Sequence, residues 1–393
     1  MREIGIGLLG AGWMGDLHSA SYRRVRDHYP ECDALPRLVV AADEVEARAR
    51  EAVDRLGYER STTDWRAVLA DPDVEAVSIT APNFMHREMA LAACAAGKHF
   101  WGEKPLGRFP HETAEIAVAA EAAGVRTIVG LNYRHAPAVR HAHALLHTGE
   151  IGEASQFRCH FLAGYANRAE GALSWRFLRE YAGFGVLGDL MTHAVDLAQY
   201  LLGPIVRTTA RAATLIPRRP RAPMGSGTHF SVVEGGELAD VENEDWVGAL
   251  VEFETGLNGI LEASRVAVGP DCRYTFEVNG TAGALAWNFE RMNELSLALP
   301  GASGDFGYAT IYMGPGHGDF GRFLPGTGIP MGYNDLKVTE AYLFLQSVAD
   351  GTQREPGVRE MLAAAVVVDA MARSCESGAW EDVRPDALGA DSR

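Results

Sequence analysis

"GLLGAGWMGDLHSASY", residues 7–22, places three glycines between an apolar run and a stretch typical of a helix. The run from Ile4 to Gly10 is small or apolar and carries no charge, which predicts a short strand buried on both faces. Gly10, Gly12 and Gly15 fit the pattern Gly-x-Gly-x-x-Gly, in which glycines allow a sharp turn and close approach of a pyrophosphate to backbone N–H groups. Alone, the pattern is equally compatible with an ordinary structural turn, so the rest of the chain decides.

The composition excludes several classes of function. The 393 residues suffice for two domains, and 47% hydrophobic with 22% charged residues is typical of a globular protein. A net charge of -16 argues against sequence-independent nucleic-acid binding, which needs a basic surface. No run approaches the ~18 apolar residues of a membrane span, and no signal-like segment precedes the first strand. We therefore expect a cytoplasmic protein with neither a membrane nor a nucleic-acid partner.

A second predicted strand, Arg37 to Asp43, ends on a carboxylate. In dinucleotide-binding folds an acidic residue at this place accepts hydrogen bonds from the adenosine ribose hydroxyls. The alternative is that Asp43 caps the helix predicted next, "EVEARAREAVDRLG". The upstream glycines favour ribose binding.

Predicted helices and strands alternate as far as residue 148, as in "TDWRAVLAD" followed by "VEAVSITAP". This order predicts an α/β Rossmann fold, a doubly wound parallel sheet, over residues 1–148. Alternating stretches such as "EDWVGALVEFETGLNGILEAS" then predict an α+β domain with a large, mostly antiparallel open sheet over residues 149–393. Within it, the Pro- and Gly-rich stretch from Arg218 to Glu242 is predicted as a long loop, and helices are predicted over Asp335–Ala349 and Val358–Ser374.

Two stretches carry side chains suited to acid–base chemistry. "GKHFWGEKP", residues 97–105, places Lys104 after a predicted strand, at the sheet edge where doubly wound folds bind ligands. "GFGVLGDLMTHAVDLAQYLLG", residues 183–203, places Asp189 and His193 four residues apart, on one face of a helix. Oxidation of an alcohol by a nicotinamide needs a base, for which histidine is suited, and a cation that stabilises the developing alkoxide. The alternatives are a surface lysine, an N-capping aspartate and a core histidine.

The glycine turn, "TAPNFMH", "AGKHFWGEKP" and "GDLMTHAVD", in this order and spacing, resemble the Gfo/Idh/MocA oxidoreductases. The resemblance implies a Rossmann domain, a substrate domain whose open sheet forms oligomer contacts, and NAD, with NADP less favoured. It implies that Lys104, Asp189 and His193 act at the substrate hydroxyl. It also implies a cis peptide bond between Lys104 and Pro105.

The resemblance further implies which residues contact each ligand. The expected cofactor-binding residues are Gly10, Gly12, Trp13, Met14, Asp43, Ala81, Pro82, Asn83, His86, Glu103 and Lys104. "LSWRF", "NYR", "NFERMNEL" and "GIPMGYNDLKVTEA" are most similar to the levoglucosan dehydrogenase branch, which oxidises a pyranose hydroxyl at carbon 3. The expected substrate-binding residues are Lys104, Asn132, Tyr133, Arg134, Trp175, Arg176, Asp189 and His193. Several of these could instead serve packing.

The expected function is NAD-dependent oxidation of a secondary hydroxyl of a sugar, anhydrosugar, glycoside or cyclitol to a ketone. The alternatives are an inositol dehydrogenase-type enzyme, a non-catalytic NAD(P)-binding sensor, and an enzyme that retains NAD between turnovers. His143 and His147 lie one turn apart, but no carboxylate cluster accompanies them, so we predict no metal.

The second domain is also expected to form a homodimer or homotetramer. Its predicted sheet carries many apolar residues, including Trp246, Val251 and Phe253. Few predicted helices are available to cover such a sheet, so a second copy of the chain would cover its apolar face.

Overall fold

The chain forms two compact units in a computed structural model that describes residues 1–221, 232–233, 235–301 and 305–384. The first unit comprises Met1–Asn132 and Gly332–Leu362, and the second comprises Tyr133–Met331 and Ala363–Arg393. The return of Gly332–Leu362 to the first unit was not indicated by the sequence. The division into domains at residue 148 stays a prediction, since a compact unit need not be a domain.

The first 132 residues alternate strands and helices. In chain order they are β1 (Arg2–Leu9), α1 (Trp13–His28), β2 (Ala34–Ala42), α2 (Glu46–Glu51), β3 (Arg60–Thr62), α3 (Trp65–Ala70), β4 (Ala76–Ile79), α4 (Asn83–Ala95), β5 (His99–Gly102), α5 (Pro110–Ala123) and β6 (Thr127–Val129). A π-helical turn, Ala52–Leu56, continues α2. The strands form one six-stranded sheet in the order β3-β2-β1-β4-β5-β6. Every pair in it is parallel, which confirms the predicted Rossmann-type sheet.

The later residues add a second sheet and four longer helices. In chain order they are α6 (Pro137–His147), β7 (Ala154–Ala163), α7 (Arg179–Ala182), α8 (Thr192–Leu202), β8 (Ile205–Ala213), β9 (Arg218–Pro220), β10 (Leu238–Asp240), β11 (Trp246–Phe253), β12 (Asn258–Ser264), β13 (Cys272–Gly280), β14 (Ala284–Asn288), β15 (Glu294–Ala298), β16 (Ala309–Tyr312), α9 (Phe320–Phe323), α10 (Tyr333–Asp350), α11 (Val358–Ser377) and β17 (Glu381–Asp382). The helices α10 and α11 confirm the two predicted near the end of the chain.

The second sheet has nine strands in the order β16-β15-β14-β13-β7-β12-β11-β8-β17. Within the described part of this second sheet only the β7–β12 pair is parallel, so the sheet is mostly antiparallel, as predicted. The helices α6 and α8 pack on one face. The burial of β11 alternates along the strand because successive side chains point to opposite faces.

This alternation corrects the argument for an exposed apolar face. Val251 and Phe253 are buried, so they belong to the core rather than to a free surface. The side chains of the opposite face include Leu250 and its cross-strand neighbour Ile260, which are 47% and 50% exposed. The sequence gives the period of a strand but not which of its two faces is covered.

The stretch predicted as a long loop, Arg218 to Glu242, contains ordered structure at both ends. The strands β9 and β10 pair antiparallel, with Arg218 opposite Asp240. The residues between them, apart from Arg221, 232–233 and 235–237, lie outside the described part of the chain.

No helix in the described ranges is both long enough and apolar enough to cross a membrane.

Candidate active site

The turn between β1 and α1 requires glycine at Gly10 and Gly15 and leaves open space at Gly12. Gly10 has a φ of +102°, and a Cβ there would lie 2.8 Å from the amide nitrogen of Ala81. A Cβ at Gly15 would lie 2.3 Å from the carbonyl oxygen of Gly10. A Cβ at Gly12 would find none of the described atoms beyond its chain neighbours within 4 Å. The turn is therefore tightly packed on one side and open at Gly12, where a diphosphate has room to approach the backbone.

The helix α1 begins at Trp13, and its N-cap, Gly12, has no side chain with which to bind the first N–H groups. The first N–H groups of any helix lack partners within the helix, and the helix dipole makes this end positive. The N–H groups of Trp13 and Met14 therefore fit an anionic phosphate. Together with the opening at Gly12, this arrangement fits the dinucleotide that the sequence predicts.

Asp43 follows β2 and faces the same turn. Its Oδ2 accepts a hydrogen bond from the Ala11 N–H at 2.9 Å, and its Oδ1 accepts one from the Val45 N–H at 2.9 Å. The second bond goes to the N-cap residue of α2, Val45, and α2 has no side-chain capping hydrogen bond, so the capping role raised as an alternative is not seen. A carboxylate has about four acceptor positions, which leaves capacity for ribose hydroxyls.

The segment after β4 is tied to the glycine turn and to the Lys104–Pro105 peptide, which is cis as the resemblance implies. The hydroxyl of Thr80 donates to the carbonyl oxygen of Gly10 at 2.6 Å. The His86 ring lies between two carbonyl oxygens, with Nε2 2.7 Å from that of Ala81 and Nδ1 2.8 Å from that of Pro105. His86 thus holds the two loops that carry Ala81 and Lys104, and its own contact with the cofactor stays a prediction.

Glu103 lies in a buried ion-pair cluster that sequence reasoning missed. Its Oε1 accepts from the Lys337 ammonium at 2.5 Å and is 3.0 Å from His18 Nε2. Burial alone would raise the pKa of Glu103, but the Lys337 charge and the His18 contact hold that pKa well below its usual range. The side chain therefore stays ionised, and its role as a cofactor ligand stays a prediction.

Within the second unit, Asp189 lies in a π-helical turn, Leu187–Met191, that leads directly into α8. The Tyr165 hydroxyl donates to Asp189 Oδ2 at 2.6 Å. Burial and the Asp189 carboxylate raise the pKa of Tyr165 well above its usual value, so the hydroxyl remains a donor. Tyr165 follows β7, and no local sequence pattern connects it with Asp189, so sequence reasoning missed it.

His193 lies near the start of α8 and is 5% exposed. The ring of Tyr133 meets its imidazole edge-on, with centroids 4.9 Å apart. The Tyr274 hydroxyl donates to the backbone carbonyl of His193 at 2.5 Å. Aromatic side chains therefore fix both the ring and the backbone of His193, and the predicted pocket residue Tyr133 does lie beside it.

Three other predicted pocket residues have partners within the protein. Arg134 is buried and donates to Asp196 through Nε at 2.8 Å and through Nη2 at 2.5 Å. The Arg176 guanidinium lies over the Trp175 ring, 4.4 Å from its centroid. The pair with Arg134 gives Asp196 a structural role. Among the described residues, no three His, Cys, Asp or Glu side chains are grouped to hold a metal ion.

Comparison with known proteins explains these features together. Residues 4–131 match the family described as oxidoreductase family, NAD-binding Rossmann fold, and residues 139–286 match the GFO/IDH/MocA C-terminal domain. A levoglucosan dehydrogenase of Pseudarthrobacter phenanthrenivorans is 36% identical over 98% of this chain and 99% of its own. The chain belongs to the GFO/IDH/MocA oxidoreductase family.

Other members of the GFO/IDH/MocA family are also similar to this chain. A solved structure of levoglucosan dehydrogenase with NADH and levoglucosan has a TM-score of 0.90 and 35% identity, and the match covers 97% of this chain and 100% of that one. A scyllo-inositol 2-dehydrogenase (NAD(+)) of Bacillus subtilis is 28% identical over 72% of this chain and 73% of its own. The protein is therefore an oxidoreductase with an NAD-binding Rossmann fold, which confirms the predicted family, fold and cofactor.

Proposed function

We propose that this oxidoreductase oxidises a secondary hydroxyl of a sugar, anhydrosugar, glycoside or cyclitol to a ketone with NAD⁺. The observation that carries the proposal is the Asp189 carboxylate, held by Tyr165 one turn before the buried His193. A buried imidazole one helical turn from a carboxylate is suited to accept a proton near neutral pH. The similarity to levoglucosan dehydrogenase over nearly the whole chain supports the substrate class.

In this proposal His193 accepts the hydroxyl proton, and Asp189 orients His193 or the substrate. Lys104 donates a hydrogen bond to the same oxygen and stabilises the negative charge that develops on it. Bound NAD⁺ supplies the acceptor for the hydride that leaves the carbinol carbon. Asn132, Tyr133, Arg134, Trp175 and Arg176 remain proposed substrate contacts. Of these, Asn132 has a buried amide nitrogen without a hydrogen-bond partner among the described residues.

For the reacting position we propose carbon 3 of a pyranose ring, because a relative that matches 98% of the chain is named a levoglucosan dehydrogenase, the branch that the sequence resembles. The inositol dehydrogenases among the relatives, at 25 to 28% identity, support a cyclitol as the second candidate. In both cases the reacting group is a secondary ring hydroxyl flanked by further hydroxyls, so the two candidates differ in ring shape rather than in chemistry.

The test is reduction of NAD⁺ by the purified protein with levoglucosan, glucose, methyl glucosides, myo-inositol and scyllo-inositol. We expect the highest kcat/KM with levoglucosan, by at least ~10-fold, the order of discrimination that pocket shape supplies. NMR of the product then locates the ketone. Preference for an inositol would favour the second candidate. Binding of NADH without turnover of any compound would contradict the proposal and favour a sensor, whereas NAD that stays bound through gel filtration would indicate a retained cofactor.

A further inference from the structure

The chain contains only three lysines, Lys98, Lys104 and Lys337, among its 36 lysine and arginine residues. Lysine carries a compact point charge, whereas arginine carries a broad planar fork, so the two are not interchangeable at a crowded site. Lys337, on α10, is completely buried. A buried ammonium in a chain that otherwise uses arginine indicates a site that requires a small cation.

The ammonium of Lys337 meets two carboxylates. It donates to Glu103 Oε1 at 2.5 Å and lies 2.9 Å from Glu340 Oε2. His18 Nε2 approaches the same Glu103 oxygen at 3.0 Å. We name Glu103, Lys337, Glu340 and His18 the buried charge cluster. It joins the end of β5 to α1 and α10, all within the first unit.

The surroundings of the Glu103 carboxylate are closely packed. The His18 ring stacks on Trp101 with centroids 3.4 Å apart, and the Lys337 ammonium lies 5.7 Å from the centroid of the same indole. On the other side, a Cβ at Gly130 would lie 2.6 Å from both Glu103 carboxylate oxygens. Close packing of this kind transmits small displacements, because interiors have almost no free volume.

The protonation states of its four side chains leave the buried charge cluster with no net charge. Burial raises the pKa of Glu340 to about 8 and lowers the pKa of His18 to about 4, so both side chains are neutral at pH 7. The Glu103 carboxylate and the Lys337 ammonium then form one ion pair, in an environment where an unpaired charge is very costly. Such a pair is weak evidence for stability, so its presence calls for another role.

Lys104 follows Glu103 in the chain and precedes Pro105, and both of these neighbours are held in place. Glu103 is held through its side chain by Lys337 and through its backbone N–H, which donates to the carbonyl of Ile79 at 3.0 Å. Pro105 is held through its carbonyl oxygen by His86. The backbone that carries Lys104 is therefore fixed from two directions.

We propose that Lys337 is a positioning residue for Lys104. Its buried ion pair with Glu103 fixes the backbone from which the Lys104 ammonium reaches the substrate hydroxyl. The inference rests on the proposed function of Lys104, and it assigns a role in the reaction to a helix more than two hundred residues away in the sequence. Displacement of a reacting group by about 1 Å can cost ~10²-fold in rate.

The test separates positioning from stability by removing both charges at once. Lys337→Met alone leaves Glu103 buried without its cation, so this variant is expected to fold poorly. The double variant Glu103→Gln with Lys337→Met leaves no unpaired charge and keeps similar volumes, so it should retain the melting temperature to within a few degrees. We expect its kcat with levoglucosan and NAD⁺ to fall ~10- to 100-fold.

Hydrogen exchange of the peptide spanning residues 103–109, measured with NADH bound, reports how firmly the backbone around Lys104 is held. In the double variant this peptide should exchange faster. Arg24→Gln is the matched control, since it breaks an ion pair between α1 and α10, Arg24 with Asp335, without touching Glu103. It should leave both kcat and the exchange of residues 103–109 unchanged.

A double variant with parental kcat, or with lowered kcat but unchanged exchange, would overturn the positioning role. The effect should also disappear in a Lys104→Ala background, because Lys337 acts through Lys104. Full kcat in Lys104→Ala alone would instead mean that the proposed function of Lys104 is wrong. If the parent protein oxidises no compound of the panel, the proposed function fails, and the exchange measurement still decides whether the buried charge cluster orders the segment.

Discussion

At the scale of single residues, we expect Asp43 to decide which dinucleotide the protein accepts. Its two oxygens already bind N–H groups at the glycine turn and at the start of α2, so the carboxylate is fixed at the end of β2. The next residue, Glu44, is exposed and adds a second negative charge. Arg60, which could have offered a 2'-phosphate a partner, is engaged by Asp71 at 2.9 Å and Asp73 at 3.4 Å.

We therefore predict that kcat/KM is higher with NAD⁺ than with NADP⁺, because a 2'-phosphate would face carboxylates. Asp43→Ala should lower the ratio of kcat/KM with NAD⁺ to kcat/KM with NADP⁺ by ~10-fold or more. Glu44→Ala should lower this ratio less, since Glu44 makes no described contact with the turn. Steady-state kinetics with both cofactors checks this. Equal kcat/KM for the two cofactors in the parent protein would refute it.

At the scale of elements, α10 illustrates which parts of the site a sequence can and cannot predict. The glycine turn and Asp43 were found because their pattern is local, and the helix itself was found from its apolar spacing. The contact of Lys337 with Glu103 spans 234 positions, and no periodicity encodes it. The contact of Tyr165 with Asp189 spans only 24 positions, but it depends on how a strand end meets a π-helical turn.

The docking of α10 also predicts a pH dependence of stability. Burial raises the pKa of Glu340 from 4.5 to about 8 in the folded protein. Between these values the folded state binds a proton that the unfolded state has released, so stability falls as pH rises, by up to about 1.4 kcal/mol per pH unit. The contribution is complete below pH 4.5 and is lost by pH 8.

Glu340→Gln removes this titration while keeping the shape of the side chain. Between pH 6 and 8, the free energy of unfolding of the parent protein, measured by chemical unfolding, should fall by about 1 to 2 kcal/mol more than that of the variant. Above pH 8.5, the free energies of unfolding of the two proteins should change in parallel. Parallel curves over the whole range would show that Glu340 is ionised in the folded state.

At the scale of the whole molecule, the face of the nine-stranded sheet that carries Leu250 and Ile260 exposes apolar side chains. Leu250 on β11 and Ile260 on β12 form an exposed cross-strand pair, and Trp246 lies on the same strand as Leu250, with its indole N–H donating to Glu262 at 2.8 Å. Charged pairs, such as Arg207 with Glu252, lie on the same sheet. Exposed apolar side chains beside charged pairs are typical of a surface that binds a second copy of the same chain.

We predict a homodimer or homotetramer formed through this face. Light scattering at micromolar concentration should give a multiple of the 42.4 kDa chain mass. Leu250→Arg with Ile260→Arg should shift the mass toward one chain, whereas Val118→Arg, at a residue 69% exposed on α5, should not. A parent protein that scatters as a single chain would contradict the prediction.

The central claim is that His193 accepts the proton of the substrate hydroxyl while Lys104 stabilises the oxygen. The most direct measurement is kcat of His193→Ala, Lys104→Ala and their double variant with the best substrate of the panel, alongside the Kd for NADH. Each single substitution should lower kcat ~10²- to 10⁴-fold with little change in the Kd, the usual size of an acid–base contribution. Because both groups serve one proton transfer, the double variant should lose less than the product of the single losses. If His193→Ala kept nearly full kcat while its melting temperature fell, the histidine would be a core residue and the account would be contradicted.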